Sequence, residues 1–249
     1  MGLRPLAPSP QPPRLMSDIA QNLAAVRDRM AAAARRASRD PAEVRLVAVS
    51  KTVAVARLQE AAAAGQRLFG ENYLQEARPK VAALGPGVEW HFIGHLQSKK
   101  AKGAVELFDL IHSVDRPKLA QALEETAARR GKVQEVLIQV NLAGEESKSG
   151  AAPATMPDLL RDIRSCPHLR VMGLMTMPPW LADPEAVRPY FKALRELRDS
   201  LRLMSLTESM LPELSMGMSG DFEAAIEEGA TLVRVGTAIF GSRPSGANV

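Results

Sequence analysis

Short apolar segments alternate with alanine- and leucine-rich segments along most of this 249-residue chain. Many of the apolar segments are apolar throughout, which is typical of parallel strands buried on both faces. Eight strands are predicted, at residues 45–50, 67–70, 89–94, 110–113, 135–141, 169–176, 213–219 and 232–236. Helices are predicted between them, at residues 54–64, 74–84, 96–107, 117–130, 156–165, 189–204 and 222–229.

This alternation predicts an α/β fold. Eight strands in a chain of this length favour a single closed (β/α)8 barrel of the TIM type over an open sheet. An extra helix is predicted before the barrel, capped by Ser17, with one apolar stripe formed by Ile19, Leu23, Val26 and Met30. The last strand is predicted to have no helix after it.

Composition excludes several classes of function. The net charge of +4 comes with alternating charges along the helices and no basic stripe with interleaved aromatics, so nucleic-acid binding is not expected. No apolar run is long enough to span a membrane. The single cysteine, Cys166, cannot form a disulfide within the chain, and the four histidines do not form the helical metalloprotease motif. We expect a cytoplasmic protein without a metal.

The ends of the chain differ in composition from the rest. Residues 1–15 contain five prolines and only two charged residues, which predicts a disordered tail. Residues 16–244 are predicted to form the barrel domain, and residues 245–249 a flexible C-terminus. A second methionine, Met16, precedes the first helix, so the tail could also result from an upstream start site.

Lys51 follows directly after the first predicted strand. Chemistry in barrels of repeated β/α units takes place at the carboxyl ends of the strands. A lysine held there can lose solvation and act as an amine nucleophile toward an aldehyde. The alternative is a solvated surface lysine with ordinary properties.

Small polar residues follow the seventh and eighth strands, where barrels of this type often bind phosphate. Ser219 offers a hydroxyl near a helix start, Gly236 allows close approach of the backbone, and Thr237 adds a second hydroxyl. Asp221 supports the alternative reading, because it could simply cap the helix that follows.

Arg234 lies two residues before Gly236, on the same face of the eighth strand, so it is predicted to point toward the barrel mouth. A buried arginine needs an acceptor. A pyridine nitrogen beside the phosphate site and a structural carboxylate are both compatible with the sequence.

The chain resembles the pyridoxal-phosphate homeostasis family, whose domain is like the N-terminal domain of alanine racemase. The resemblance covers nearly everything from the first strand to Gly241. It is carried by residues 46–52 (LVAVSKT), 69–73 (FGENY), 90–97 (WHFIGHLQ), 144–150 (GEESKSG), 173–177 (GLMTM), 214–219 (LSMGMS) and 233–241 (VRVGTAIFG).

The resemblance implies a barrel of PLP fold type III that holds pyridoxal 5'-phosphate (PLP). Lys51 matches the lysine that forms an aldimine with the cofactor, and Arg234 matches the arginine that faces the pyridine nitrogen. The remaining matches are Ser219, Gly236 and Thr237 at the phosphate, Met218 beside it, and Asn72 near the ring. Lys99 stands where the family usually has asparagine, and His95 where many members have proline and some have histidine. Neither residue belongs to the core cofactor motifs.

The resemblance also implies a role in intracellular PLP homeostasis, as a carrier or buffer that could deliver PLP to apo-enzymes. The alternative is a weak PLP-dependent amino-acid racemase. Related racemases use a second base, a tyrosine from a further domain of a partner subunit. Only Tyr73 and Tyr190 are present here, and we expect both to pack or cap. We therefore expect a non-catalytic monomer.

Overall fold

The computed structural model describes residues 17–145, 149–204 and 211–241. Eight parallel strands form a closed barrel in chain order, which confirms the predicted fold class. The strands are β1 (Arg45–Val49), β2 (Leu68–Glu71), β3 (Glu89–Phe92), β4 (Leu110–Val114), β5 (Gln134–Val140), β6 (Leu169–Thr176), β7 (Glu213–Ser215) and β8 (Leu232–Val235).

Helices connect the strands and surround the barrel. They are α1 (Asp18–Arg36), α2 (Val55–Ala63), α3 (Leu74–Leu84), α4 (Ala101–Leu107), α5 (Pro117–Arg129), α6 (Met156–Arg164), α7 (Pro184–Leu203), α8 (Phe222–Glu227) and α9 (Thr237–Phe240). The tail predicted at 1–15, the C-terminus predicted at 245–249, and residues 146–148 of one family motif lie outside the described residues.

Two helix predictions were wrong. β8 is followed by α9, a single helical turn between Gly236 and Gly241. A helix of four residues between two glycines is too short to show a helical periodicity in the sequence. α7 begins at Pro184 rather than at residue 189, because Asp183 caps it by accepting a hydrogen bond from the Glu185 N–H at 2.9 Å. A proline at the first helical position needs no donor, so Pro184 starts the helix at no cost in hydrogen bonds.

Two further boundaries shifted for local reasons. The helix predicted at 96–107 starts only at Ala101, after a 3₁₀ turn at Ser98–Lys100. β7 ends at Ser215, four residues before the predicted end, because Gly217 has a φ of 90° that a strand does not accommodate.

The extra helix α1 packs on the part of the barrel that follows β7 and β8. The Asn22 side chain donates to the Ile239 carbonyl in α9 at 3.0 Å. Arg39, in the turn just after α1, donates to the carbonyls of Ile226 and Ala230 at 2.7 and 2.9 Å. Its buried stripe includes Leu23, which has no exposed surface. α1 therefore supports the segments that lead into and out of β8.

The barrel interior has an apolar and a polar part. The apolar part is a cluster of side chains from six strands, formed by Val47, Leu68, Leu110, Leu137, Met175 and Leu232. The polar part includes the buried side chains of His91, His112, Ser215 and Arg234. Within the described ranges, no helix has the length and apolar character needed to cross a membrane.

Replacing Leu23 by alanine should lower the free energy of unfolding by about 2–5 kcal/mol, because a fully buried leucine leaves both lost burial and a cavity. Urea denaturation followed by circular dichroism measures this. The matched control is Leu203→Ala, since Leu203 is 87% exposed and its loss should change stability by less than about 0.5 kcal/mol. Equal effects of the two changes would contradict the packing role of α1.

Candidate functional site

A cavity of about 830 Å³ opens at the carboxyl ends of β1, β7 and β8. Six of the seven residues singled out from the sequence line it, namely Lys51, Met218, Ser219, Arg234, Gly236 and Thr237. Sequence reasoning did not anticipate its rim, where Trp180 in the loop before α7 is 83% exposed. The strand order of the barrel is what brings these distant segments together.

The loops after β7 and β8 are joined through Ser219. Its hydroxyl oxygen accepts hydrogen bonds from the backbone N–H groups of Gly236 at 3.3 Å and Ala238 at 3.4 Å. A β-carbon at position 236 would lie 3.3 Å from the Val49 β-carbon, so the glycine permits close approach to β1. Hydroxyl and backbone N–H donors are thereby gathered at one side of the cavity.

Asp221 does not cap α8 through its side chain, as the alternative reading of the sequence supposed. Its carboxylate instead accepts the Met218 N–H at 2.6 Å and closes the turn before the helix. Burial raises the pKa of Asp221, against the opposing effects of the Met218 N–H and the charge on Arg234. The carboxylate thus shapes the loop that carries Met218 and Ser219.

Arg234 is buried, with 4% of its surface exposed, and still borders the cavity. Its guanidinium donates to the Ser215 hydroxyl at 2.5 Å and to the Thr176 carbonyl at 2.8 Å. Both acceptors are neutral. In the described part of the chain, Arg234 therefore has no hydrogen bond to a carboxylate, which was one of the two acceptors compatible with the sequence. Burial lowers the pKa of Arg234 to about 10, with the nearby charge of Asp221 opposing the shift.

Asn72 stands apart from the other six predicted residues. It follows β2 and does not belong to the residues that line the cavity. Its side-chain oxygen is buried without a hydrogen-bond partner among the described residues. Its backbone is packed against Gly94, where a β-carbon would come within 2.4 Å of the Asn72 carbonyl. A role for Asn72 near a cofactor ring stays a prediction.

Lys51 is half-buried, and the residues on both sides of it are held by hydrogen bonds. On one side, the Ser50 hydroxyl donates to the Glu71 carboxylate at 2.6 Å, and the Lys80 ammonium donates to the Ser50 carbonyl at 2.7 Å. On the other side, the Thr52 N–H donates to Glu76 at 2.7 Å. Thr52 has a φ of 63°, a strained value that these contacts stabilise.

Lys80 and Glu71 form the buried ion pair at the centre of this support, with 2.7 Å between ammonium and carboxylate. Burial raises the pKa of Glu71, and the hydrogen bonds from Lys80 and Ser50 partly offset the shift. Sequence reasoning missed both residues. The four-residue spacing of Glu76 and Lys80 on α3 was visible, but it reads as an ordinary surface pair.

The charges around the cavity are mostly positive. Among the described residues, Lys51, Arg57 and Arg234 line it, together with the carboxylate of Asp221. A small anion with several acceptor oxygens, such as a phosphate ester, matches this combination of cations, hydroxyls and backbone N–H groups.

Comparison with known proteins identifies the family. Residues 21–244 match the model of the alanine racemase N-terminal domain. A pyridoxal phosphate homeostasis protein from Pseudomonas aeruginosa is 50% identical over 233 residues, which cover 93% of this chain and 99% of that protein. The chain belongs to the pyridoxal phosphate homeostasis protein family.

Two solved structures have barrels similar to the barrel of this protein. PipY of Synechococcus elongatus, solved with PLP bound, matches with a TM-score of 0.78 at 39% identity, covering 90% of this chain and all of PipY. Alanine racemase from Corynebacterium glutamicum shares the fold, with a TM-score of 0.70 at 21% identity over 93% of this chain and 63% of the racemase.

The cavity of this family member fits PLP by size and by donors. Sites for small molecules and cofactors have volumes of roughly 300–1,000 Å³, and this cavity lies within that range. The amine suits an aldehyde, and the buried guanidinium suits a pyridine nitrogen. The hydroxyl and N–H donors suit a phosphate.

The two positions that were expected to depart from the usual family residues lie on the surface. His95 is exposed, and its ring contacts the Ser149 hydroxyl at 2.8 Å, linking the loops after β3 and β5. Lys99 is exposed in the 3₁₀ turn before α4. Neither residue lines the cavity.

Replacing Lys80 by methionine should lower the free energy of unfolding by about 3–5 kcal/mol at neutral pH, because Glu71 is left as an unpaired buried carboxylate. The defect should shrink toward pH 4, near the ordinary glutamate pKa of about 4.3. The pKa of Glu71 is raised in the folded state. Below its unfolded-state pKa the carboxyl is protonated in both states and does not affect the free energy of unfolding. As the pH rises from there through the raised folded-state pKa, the protein loses stability.

Urea denaturation at pH 7 and at lower pH measures this defect. Lys102→Met is the matched control, since Lys102 is an exposed lysine on α4. A defect of equal size at all pH values, or one shared by the control, would contradict the assignment of Lys80 and Glu71 as a buried pair.

Proposed function

We propose that this protein binds PLP in the cavity at the ends of β1, β7 and β8 and acts as a carrier or buffer in PLP homeostasis. The observation that carries the proposal is the convergence of Lys51, Arg234 and the Ser219 loop on one cavity. The PLP-bound structure of the related PipY supports the same ligand.

In this proposal Lys51 holds the cofactor covalently. Its amine condenses with the aldehyde carbon, releasing water and leaving a carbon–nitrogen double bond that hydrolysis can reverse. The fixed neighbours Ser50 and Thr52 support this role, because they hold the lysine backbone in one position. Reversible attachment is what a carrier requires.

The phosphate is held in this proposal by the Ser219 and Thr237 hydroxyls, with Gly236 allowing the backbone to approach and Met218 beside it. The loop contacts among Ser219, Gly236 and Ala238 support this, because they hold the donors together. Arg234 faces the pyridine nitrogen, and Asn72 approaches the ring.

A guanidinium beside the pyridine nitrogen disfavours the stabilised-carbanion chemistry of transaminases, whereas a racemase is still compatible with it. It donates a hydrogen bond and so disfavours protonation of that nitrogen, which makes the ring a poorer electron sink. In the described residues neither Tyr73 nor Tyr190 lines the cavity; Tyr73 is 53% exposed, and Tyr190 packs against the outer core. We propose that the protein has no catalytic turnover and passes PLP to apo-enzymes that depend on it.

Replacing Lys51 by alanine should abolish covalent attachment of PLP, because the methyl group cannot condense with an aldehyde. Incubation with PLP, reduction with borohydride and intact-mass measurement should show one added pyridoxyl phosphate group in the wild type and none in Lys51→Ala. Lys99→Ala, which replaces an exposed lysine, should still carry the group.

A wild type without the added group would refute the PLP proposal. An amino-acid racemase assay of the same samples tests the alternative function. Racemisation by the wild type that is lost in Lys51→Ala would replace the carrier with an enzyme.

Ser219→Ala and Thr237→Ala should each raise the Kd for PLP roughly tenfold, because each removes a hydrogen bond to a charged phosphate. Quenching of tryptophan fluorescence on titration with PLP measures the Kd, since Trp180 lies at the cavity rim. Ser200→Ala on the exposed face of α7 serves as the control. An unchanged Kd in both variants would show that the phosphate binds elsewhere.

A further inference from the structure

A continuous chain of buried hydrogen bonds crosses the barrel interior from the cavity to the opposite end. It starts at Arg234, whose guanidinium donates to the Ser215 hydroxyl at 2.5 Å. The Ser215 oxygen lies 2.9 Å from Nδ1 of His112, and Nε2 of His112 lies 2.9 Å from Nδ1 of His91. Nε2 of His91 lies 2.7 Å from the carboxylate of Glu89.

This chain of hydrogen bonds is buried along most of its length and exposed to solvent at its far end. Ser215, His91 and His112 have no exposed surface. Glu89 begins β3, its side chain is 38% exposed, and it borders a second cavity of about 760 Å³ at the amino ends of the strands. Glu89 also pairs there with Arg45.

The two charged ends fix the direction of every hydrogen bond between them. A carboxylate can only accept, so His91 donates to Glu89 from Nε2 and, when neutral, accepts at Nδ1. His112 must then donate from Nε2 and accept at Nδ1, which leaves the Ser215 hydroxyl as the donor to His112. The Ser215 oxygen remains an acceptor for Arg234, and each group in the chain is satisfied.

The opposite direction fails at one end or the other. With both histidines neutral, reversal would set an unprotonated His91 nitrogen against the Glu89 carboxylate at 2.7 Å. With His91 protonated, His112 would donate to Ser215, and the buried serine hydrogen would have no acceptor among the described residues. Burial, with the charges of His91, Arg234 and Arg45, also holds the pKa of His112 well below its usual range.

We propose that Glu89 is a positioning residue for Arg234, acting through His91, His112 and Ser215 across the whole barrel. Its carboxylate sets the direction of the chain, which keeps the Ser215 oxygen available to hold the guanidinium at the cavity. The proposal rests on PLP as the ligand of that cavity, and it assigns the far end of the barrel a part in PLP affinity.

The first test needs no cofactor. Long-range ¹H–¹⁵N spectra of the protein without PLP should show both His91 and His112 with hydrogen on Nε2. Glu89→Gln should add a population of the Nδ1–H forms to the spectra, because the amide can donate to His91 as well as accept from it. Glu135→Gln is the matched control, since Glu135 is 39% exposed near the start of β5 and pairs with Arg170. Its spectra should match those of the wild type, and unchanged histidine spectra in Glu89→Gln would overturn the proposal.

The second test measures PLP affinity in a double-mutant cycle. Glu89→Gln should raise the Kd by about three- to tenfold, and Glu135→Gln should leave it unchanged. Ser215→Ala breaks the chain beside Arg234, so adding Glu89→Gln to it should produce no further loss. Additive losses, or an unchanged Kd in Glu89→Gln, would refute the coupling. Failure of the wild type to bind PLP would instead refute the proposed function, while the histidine spectra would still report on the chain.

Discussion

The buried guanidinium of Arg234 is the constraint on which the rest of the barrel interior depends. A cation without solvent must have its donors satisfied, and burial already lowers its pKa to about 10. Ser215 and Thr176 satisfy it through neutral oxygens rather than through a carboxylate. Within the ranges that the structure describes, the guanidinium therefore has no counterion in hydrogen-bond contact, and the polar residues of four strands are arranged around this requirement.

A second buried charge supports the other side of the cavity. The paired Lys80 and Glu71 hold the carbonyl and hydroxyl of Ser50, directly before Lys51. The cavity thus lies between two rigid polar arrangements, one behind Lys51 and one behind Arg234. Such rigidity suits a protein proposed to hold a reactive aldehyde in a fixed position, because preorganised groups lose little freedom on binding.

The prediction of the barrel succeeded because it used a repeated signal. Each strand is a short apolar run, and eight repetitions outweigh an error of several residues in any one boundary. The errors fell where one residue decides the local structure, as Asp183 does for the start of α7 and Gly217 for the end of β7. Six of the seven proposed site residues line one cavity, since residues at the carboxyl ends of parallel strands share one end of a barrel. Asn72 shows the limit, because a place in the turn after β2 does not fix which way its side chain faces.

By itself the sequence determined the fold class, the family and the end of the barrel at which Lys51, Ser219 and Arg234 meet. Those properties depend on periodicity and on local motifs, which can be read along one chain. The tertiary structure alone decided the partners of Arg234 and of Ser50 and Thr52 on either side of Lys51. Glu89, His112 and Ser215 lie far apart in sequence, and Lys80 looks like a surface residue of a helix. Contacts between such residues depend on strand register and on which face of each strand turns inward, because neighbours in a parallel barrel come from separate repeats.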